Sequence, residues 1–159
     1  SVLDIGTGTG EWALDMAEEW PDCQVLGVDL YDRFPWAKRP PNCQFFRMDI
    51  CDGLSFNPNT FDLVHWRYLV AGIPSEEWHH CFAELFRVTR PGGWIQVTES
   101  DGRHLDCGPV AAAINTLSHR FSSANGIDLE LIRHLDVILR AVGFVHVERT
   151  VVSLPVGRW

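Results

Sequence analysis

The chain opens on Val2-Leu3-Asp4-Ile5-Gly6-Thr7-Gly8-Thr9-Gly10, a short apolar run that carries an aspartate into three alternating glycines. Glycine turns backbone tightly at positive φ and lets a ligand lie against bare main chain. The residues that follow, Glu11-Trp12-Ala13-Leu14-Asp15-Met16-Ala17, are compatible with a helix. Strand, glycine loop and helix in that order present unpaired N–H groups at the ligand crevice of an open α/β sheet. Glycines at this spacing also make plain tight turns in α/β proteins, so the details matter. A dinucleotide fingerprint reads G-x-G-x-x-G and sets a pyrophosphate on the helix N-terminus. Here the pattern is G-x-G-x-G with Asp4 two residues ahead. An acid there repels a pyrophosphate and suits a ligand carrying ammonium and sulfonium charge. No lysine follows the glycines, which excludes a P-loop.

The next strands repeat one device. Trp20-Pro21-Asp22 breaks the helical pattern, and residues 24–29 read as a second buried strand ending in Asp29. Asp29 lies some twenty residues beyond the glycines, where an acid accepts both hydroxyls of an adenosine ribose. Residues 43–50 read as a third strand, ending in Asp49 and Ile50. An acid at that point can accept the adenine amino group while the isoleucine packs on the ring. Singly, Asp29 or Asp49 is equally a loop acid or a helix N-cap. Three strand-terminal acids in step with a glycine loop point to one nucleoside site.

These residues resemble the class I S-adenosylmethionine-dependent methyltransferases. The resemblance rests on V-L-D-I-G-T-G-T-G at 2–10, Asp29, M-D-I at 48–50, F-D-L-V-H-W-R at 61–67 and L-F-R-V-T-R-P-G-G-W-I at 85–95. Within that class the chain looks most like the fungal LaeA-like branch, which includes regulators of secondary metabolism. The branch features are Gly-Thr-Gly-Thr-Gly-x-Trp, the His65-x-Arg67 pair and the closing A-V-G-F…L-P-V-G-R-W. The resemblance implies S-adenosyl-L-methionine as cofactor. It implies a cofactor site made of Asp4, Gly6, Gly8, Gly10, Asp29 with Leu30, Asp49 with Ile50, and His65 with Trp66. Residues 65–66 would flank the methionine arm, with Trp66 facing the sulfonium or simply buried in the core. Arg67 is open to the cofactor carboxylate or to a surface acid.

The implied fold is a Rossmann-like, doubly wound, mostly parallel α/β sheet in a single domain, 1–159. Residues 32–41 read as irregular or a single helical turn, and 61–66 as a fourth strand, apolar enough for a sheet centre. Ser75 is a plausible N-cap for a helix reaching about Thr89, with Glu76 and Glu77 favouring its dipole. Pro91-Gly92-Gly93 reads as a turn before a fifth strand, 94–99. Helices follow over about 110–122 and 128–142, the second ended by Gly143. Residues 144–150 alternate as a sixth strand. A last strand, which relatives insert beside the sixth, is not apparent, and the chain is expected to be the core of a longer protein.

Composition removes other classes. With 13 basic and 21 acidic residues the net charge is −8, and no Lys/Arg cluster is available to neutralise nucleic-acid phosphates. Five cysteines without a C-x-x-C spacing fit a reduced intracellular protein, cytoplasmic or nuclear. No apolar run reaches membrane-span length. His79-His80-Cys81 resembles a metal cluster, but neighbours on a helix point apart, and no metal is expected. Methyl transfer from a sulfonium is an in-line displacement that positioning can drive, and a base is needed only for a protonated acceptor. His65, Glu99, Asp101 and His104 lie near strand ends as weak candidates for that base. The expected activity is methyl transfer to a small-molecule acceptor of the secondary-metabolite type. The alternatives are a cofactor-binding regulator acting through protein partners and a nicotinamide-dependent oxidoreductase.

Overall fold

The apolar start of the chain becomes the middle strand of a sheet. The computed structural model describes residues 1–156. In it β1 (Val2–Ile5), β2 (Val25–Asp29), β3 (Cys43–Arg47), β4 (Phe61–Arg67) and β5 (Thr89–Thr98) lie in the order β3-β2-β1-β4-β5. Every neighbouring pair is parallel. The chain first winds outward from β1 to β3 and then returns to place β4 on the other side of β1. That reversal opens a crevice at the C-terminal ends of the central strands, where such sheets take ligands.

Helices cover the two faces. Side chains alternate along a strand, so Leu3 and Ile5 of β1 enter one apolar cluster and Val2 the other. Helix α1 (Glu11–Glu19) buries Ala13 and Ala17 in the cluster of Val2, Val25, Cys43 and Phe45. Helix α2 (Trp78–Val88) buries Trp78, Cys81, Phe82, Leu85 and Val88 in the opposite one. The α1 C-terminus leaves carbonyls without helical partners. The Asn42 amide NH2 lies within hydrogen-bond reach of Ala17 O in that last turn and of Trp20 O and Cys23 O just beyond it.

Three expectations change in this part of the fold. Ser75 does not cap a helix: residues Ser75–Glu77 form a 3-10 turn, and the Ser75 hydroxyl accepts from the Asp128 N–H instead. Pro91-Gly92-Gly93 is no turn ahead of a strand but a bulge inside β5. Phe61 pairs with Thr89 and Leu63 with Trp94, and Gly92 supplies a φ of 78°. Residues 144–150 do not form a strand. A strand persists only in a ladder, and among the described residues none lies alongside this segment. Its apolar positions are used otherwise. The Phe144 ring meets Phe86 edge-on at 5.1 Å, and Val147 packs against the core while its carbonyl accepts from Arg140. His146 at a φ of 54° breaks the extended path.

The later helices are α3 (Pro109–Ala124) and α4 (Leu135–Val142); a 3-10 turn, Leu131–His134, replaces the start of the expected second helix. Gly143 ends α4 in the left-handed conformation, as its position predicts. Among the described residues no helix is long and apolar enough to cross a membrane. Residues 157–159 of the closing motif lie outside the described residues.

Arg87, from the 85–95 motif, ties α2 to the segment after β3. Its guanidinium donates to Glu84 and to the carbonyls of Phe56 and Leu54, and Glu84 accepts from the Leu54 N–H at 2.9 Å. The hydrogen bonds from Arg87 hold the Glu84 carboxyl below its ordinary 4.5, against the opposing effect of burial. Arg87→Met should destabilise the fold by roughly 2–3 kcal/mol, the size of charge-assisted hydrogen bonds lost. A carboxyl with a depressed folded pKa contributes stability that is complete above its unfolded value and lost as pH falls through the folded one. The gap between wild type and Arg87→Met in urea titrations should therefore be full at pH 7 and narrow below about pH 4.5. A gap of constant size down to pH 3 would contradict this.

Candidate functional site

The glycine loop and Asp29 meet at one rim, and Asp49 follows the end of the neighbouring strand β3. Parallel register sets Ile5 beside Val28, and Asp29 beside Arg47, so β1, β2 and β3 end together. The Gly8 N–H donates to Asp29 Oδ2 at 2.8 Å, and the Tyr31 N–H donates to Asp29 Oδ1 at 2.9 Å. Acid and loop, 21 residues apart in the chain, are thus in direct contact. Each oxygen keeps capacity for a further donor, which is what a pair of ribose hydroxyls requires. Asp49, two residues past β3, caps a 3-10 turn, Ile50–Asp52, by accepting from the Cys51 N–H. Ile50 beside it is largely buried in the core, whereas Leu30 beside Asp29 is 41% exposed.

The three glycines divide their roles. A Cβ on Gly6 would stand 2.3 Å from Leu69 Cδ2, and one on Gly10 2.7 Å from the Phe45 ring. Both glycines are fixed by packing. Gly8, at a φ of 59°, has nothing within 4 Å in that direction. It presents bare backbone to open space at the rim, the cradle a flat ligand needs.

Asp4 and His65 point away from that space. The alternation that sends Leu3 and Ile5 to the α2 face sends Asp4, and the adjacent His65 of β4, to the α1 face. His65 Nδ1 lies 2.7 Å from Asp4 Oδ1, and the Thr7 hydroxyl donates to Asp4 Oδ2 at 2.6 Å. Trp12 of α1 stacks on the imidazole at 3.7 Å. Both side chains are buried. Asp4, expected among the ligand contacts, has each oxygen bonded once within the protein, and through Thr7 it braces the glycine loop. His65 likewise ties β4 to β1 through this contact.

For Trp66 the structure shows the buried alternative. As a neighbour of His65 it projects to the other face, where it is fully buried, 5.4 Å from Trp78 and 5.1 Å from Phe82. Its ring is part of the core on that face. Arg67 is exposed beside the Tyr68 ring and, among the described residues, makes no salt bridge. Of the remaining base candidates, Asp101 is paired with Arg133, and exposed His104, ahead of α3, hydrogen-bonds Asn115 within that helix. Glu99, just past β5, accepts from Trp66 Nε1 and from the main chain of 69–70. No three His, Cys, Asp or Glu side chains gather as metal ligands among the described residues.

Thr7, Trp12 and Leu69 are site residues that sequence reasoning did not single out. Trp12 alone had a signal, the tryptophan two places after the third glycine.

Residues 2–93 match the family described as "Methyltransferase domain". The chain belongs to the methyltransferase-domain family. Within it the similarity runs to the LaeA-like branch. "Secondary metabolism regulator laeA" of Aspergillus flavus is 30% identical over 99% of the chain and 44% of that protein. "Protein-methionine methyltransferase laeA" of Emericella nidulans is 28% identical over 99% of the chain and 43% of that protein. The chain therefore spans less than half the length of these curated relatives. Among solved structures, phosphoethanolamine N-methyltransferase 2 of Haemonchus contortus, in complex with S-adenosyl-L-methionine, superposes with a TM-score of 0.71. It is 25% identical, over 92% of this chain and 33% of that one. The [4+2]-cyclase SpnF shares the family's architecture at a TM-score of 0.64 and 25% identity, over 89% of this chain and 50% of that one. The Rossmann-like parallel sheet is common to both, and the methyltransferase-domain family uses S-adenosyl-L-methionine as cofactor.

Proposed function

We propose that the protein binds S-adenosyl-L-methionine across the C-terminal ends of β1, β2 and β3 and transfers its methyl group to an acceptor approaching from the β4–β5 side. The single observation that carries this reading is the contact between Gly8 and Asp29 beneath open space. It couples bare backbone to a carboxylate with free lone pairs at the point where an adenosine would lie. Asp29 would accept the ribose hydroxyls, Asp49 would receive the adenine amino group, and Gly8 would let the nucleoside approach the main chain. The bound cofactor supplies an activated methyl carbon. What the chain contributes is orientation and exclusion of water, for which alignment alone is worth up to roughly 7–11 kcal/mol. A nicotinamide-type reading is disfavoured by the chain's family and by the G-x-G-x-G spacing.

For the acceptor, a small molecule of the secondary-metabolite type agrees with the phosphoethanolamine enzyme, whose acceptor is small. A second reading has its own support. The LaeA relatives, similar over nearly the whole chain, are named as regulators and as a protein-methionine methyltransferase, which favours action on or through proteins. Incubating the full-length protein with methyl-labelled cofactor and a host extract separates the two. Label in small metabolites supports the first reading, and label confined to protein supports the second. Failure of S-adenosylhomocysteine to bind in calorimetry would overturn both.

A further inference from the structure

We propose that Glu99 is a positioning residue of this site, fixing the segment after β4 so that Leu69 stays packed on Gly6. The inference rests on the cofactor reading above for its consequence, but not for its geometry. Glu99 Oε1 accepts from Trp66 Nε1 at 2.7 Å and from the Leu69 N–H at 2.7 Å; Oε2 accepts from the Val70 N–H at 3.3 Å. Among the described residues no cation forms a salt bridge with this half-buried carboxylate. Three converging donors therefore carry its charge, as buried charge requires. Burial pushes its carboxyl pKa up and the donors pull it back.

The bond to Trp66 makes Glu99 rigid, because the indole is locked between Trp78 and Phe82. The bonds to 69 and 70 pass that rigidity to the loop. Tyr68, just before, sits at a φ of 58°, in the left-handed region, and its N–H donates to Thr98 O at 3.0 Å. Such a conformation in an aromatic residue persists only where its surroundings impose it. Residues 98 and 99 together impose it here. The result is a leucine side chain lying against the α-carbon of Gly6, at the first turn of the glycine loop. Displacing 69–70 would unseat that wall.

Amide hydrogen exchange and S-adenosylhomocysteine titration of the full-length protein test this. Glu99→Ala should speed exchange at Leu69 and Val70 and weaken ligand binding about tenfold or more, the loss expected when charge-assisted hydrogen bonds disappear. Glu99→Gln keeps one oxygen for Trp66 and Leu69, sacrificing only the longest bond, so binding and methyl transfer should stay within about threefold. On a Leu69→Ala background the Glu99→Ala effect on affinity should largely vanish, since residues acting through one contact are not additive. If the alanine variant does not fold, Glu99→Asp, one methylene too short, should show the same losses. Unchanged exchange at 69–70 in Glu99→Ala or Glu99→Asp would overturn the proposal whatever the ligand does. So would a Gln variant that binds normally but loses methyl transfer, the mark of a base. If the unmodified protein binds no S-adenosylhomocysteine, the cofactor reading fails, and the exchange data still decide whether Glu99 holds the loop.

Discussion

Gly8→Val is expected to cost the protein more than a hundredfold in affinity for S-adenosylhomocysteine, about 2.8 kcal/mol or more, while the fold survives. The direction a side chain would take from Gly8 is empty within 4 Å, so valine collides with nothing in the protein itself. It does fill the space that the proposed ligand would occupy. Backbone strain has to be separated from obstruction, because a non-glycine residue in the left-handed region costs roughly 1–3 kcal/mol. Gly92 provides the control. It has a φ of 78° and the same empty surroundings, but it lies in the β5 bulge, opposite the first residues of β4 and away from the rim. Gly92→Val should lower the melting temperature about as much as Gly8→Val and leave affinity untouched. If both variants bind as wild type does, the nucleoside does not lie on this loop.

Asp29→Ala should weaken the same ligand ten- to a hundredfold, corresponding to loss of one or two charge-assisted hydrogen bonds at roughly 1.5–3 kcal/mol each, partly offset by water. Two effects add in this variant. The ribose hydroxyls lose their acceptor, and the Gly8 and Tyr31 N–H groups lose theirs. Asp29→Asn divides them. The amide keeps one acceptor oxygen but turns an NH2 group toward a donor, so its affinity should fall between those of the other two. Calorimetry on the three proteins measures the series. Equal affinity of Asp29→Ala and wild type would remove Asp29 from the site.

The rim was legible in the chain because its parts are local or nearly so. An apolar run into glycines, and acids at the ends of buried strands, are short patterns whose chemistry can be read in place. The facing of individual side chains was not. In a sheet covered on both sides the strands are apolar throughout, so β4 alone does not say whether His65 or Trp66 looks toward α1. The answer depends on β1 lying beside β4, a pairing of residues 61 apart. The same pairing makes Asp4 the partner of His65, a contact that neither strand shows by itself. Glu99 was noticed for being an acid at a strand end, yet its role follows from where Trp66 and the 68–70 turn happen to lie. The segment 144–150 misled for the opposite reason. Its alternation is real, but alternation describes a strand only when another backbone is present to complete it, and Phe144 and Val147 found uses elsewhere.

The hydrogen bond from Gly8 to Asp29 also bears on how quickly and cheaply a guest is received. A glycine-rich loop left to itself samples many shapes, and ordering it on association would subtract from affinity. Here the acid that would greet the guest already tethers the loop in its absence, so the entropy of ordering is lost during folding and not again at each encounter. Arrival and departure of the proposed cofactor would then proceed without rearranging the backbone.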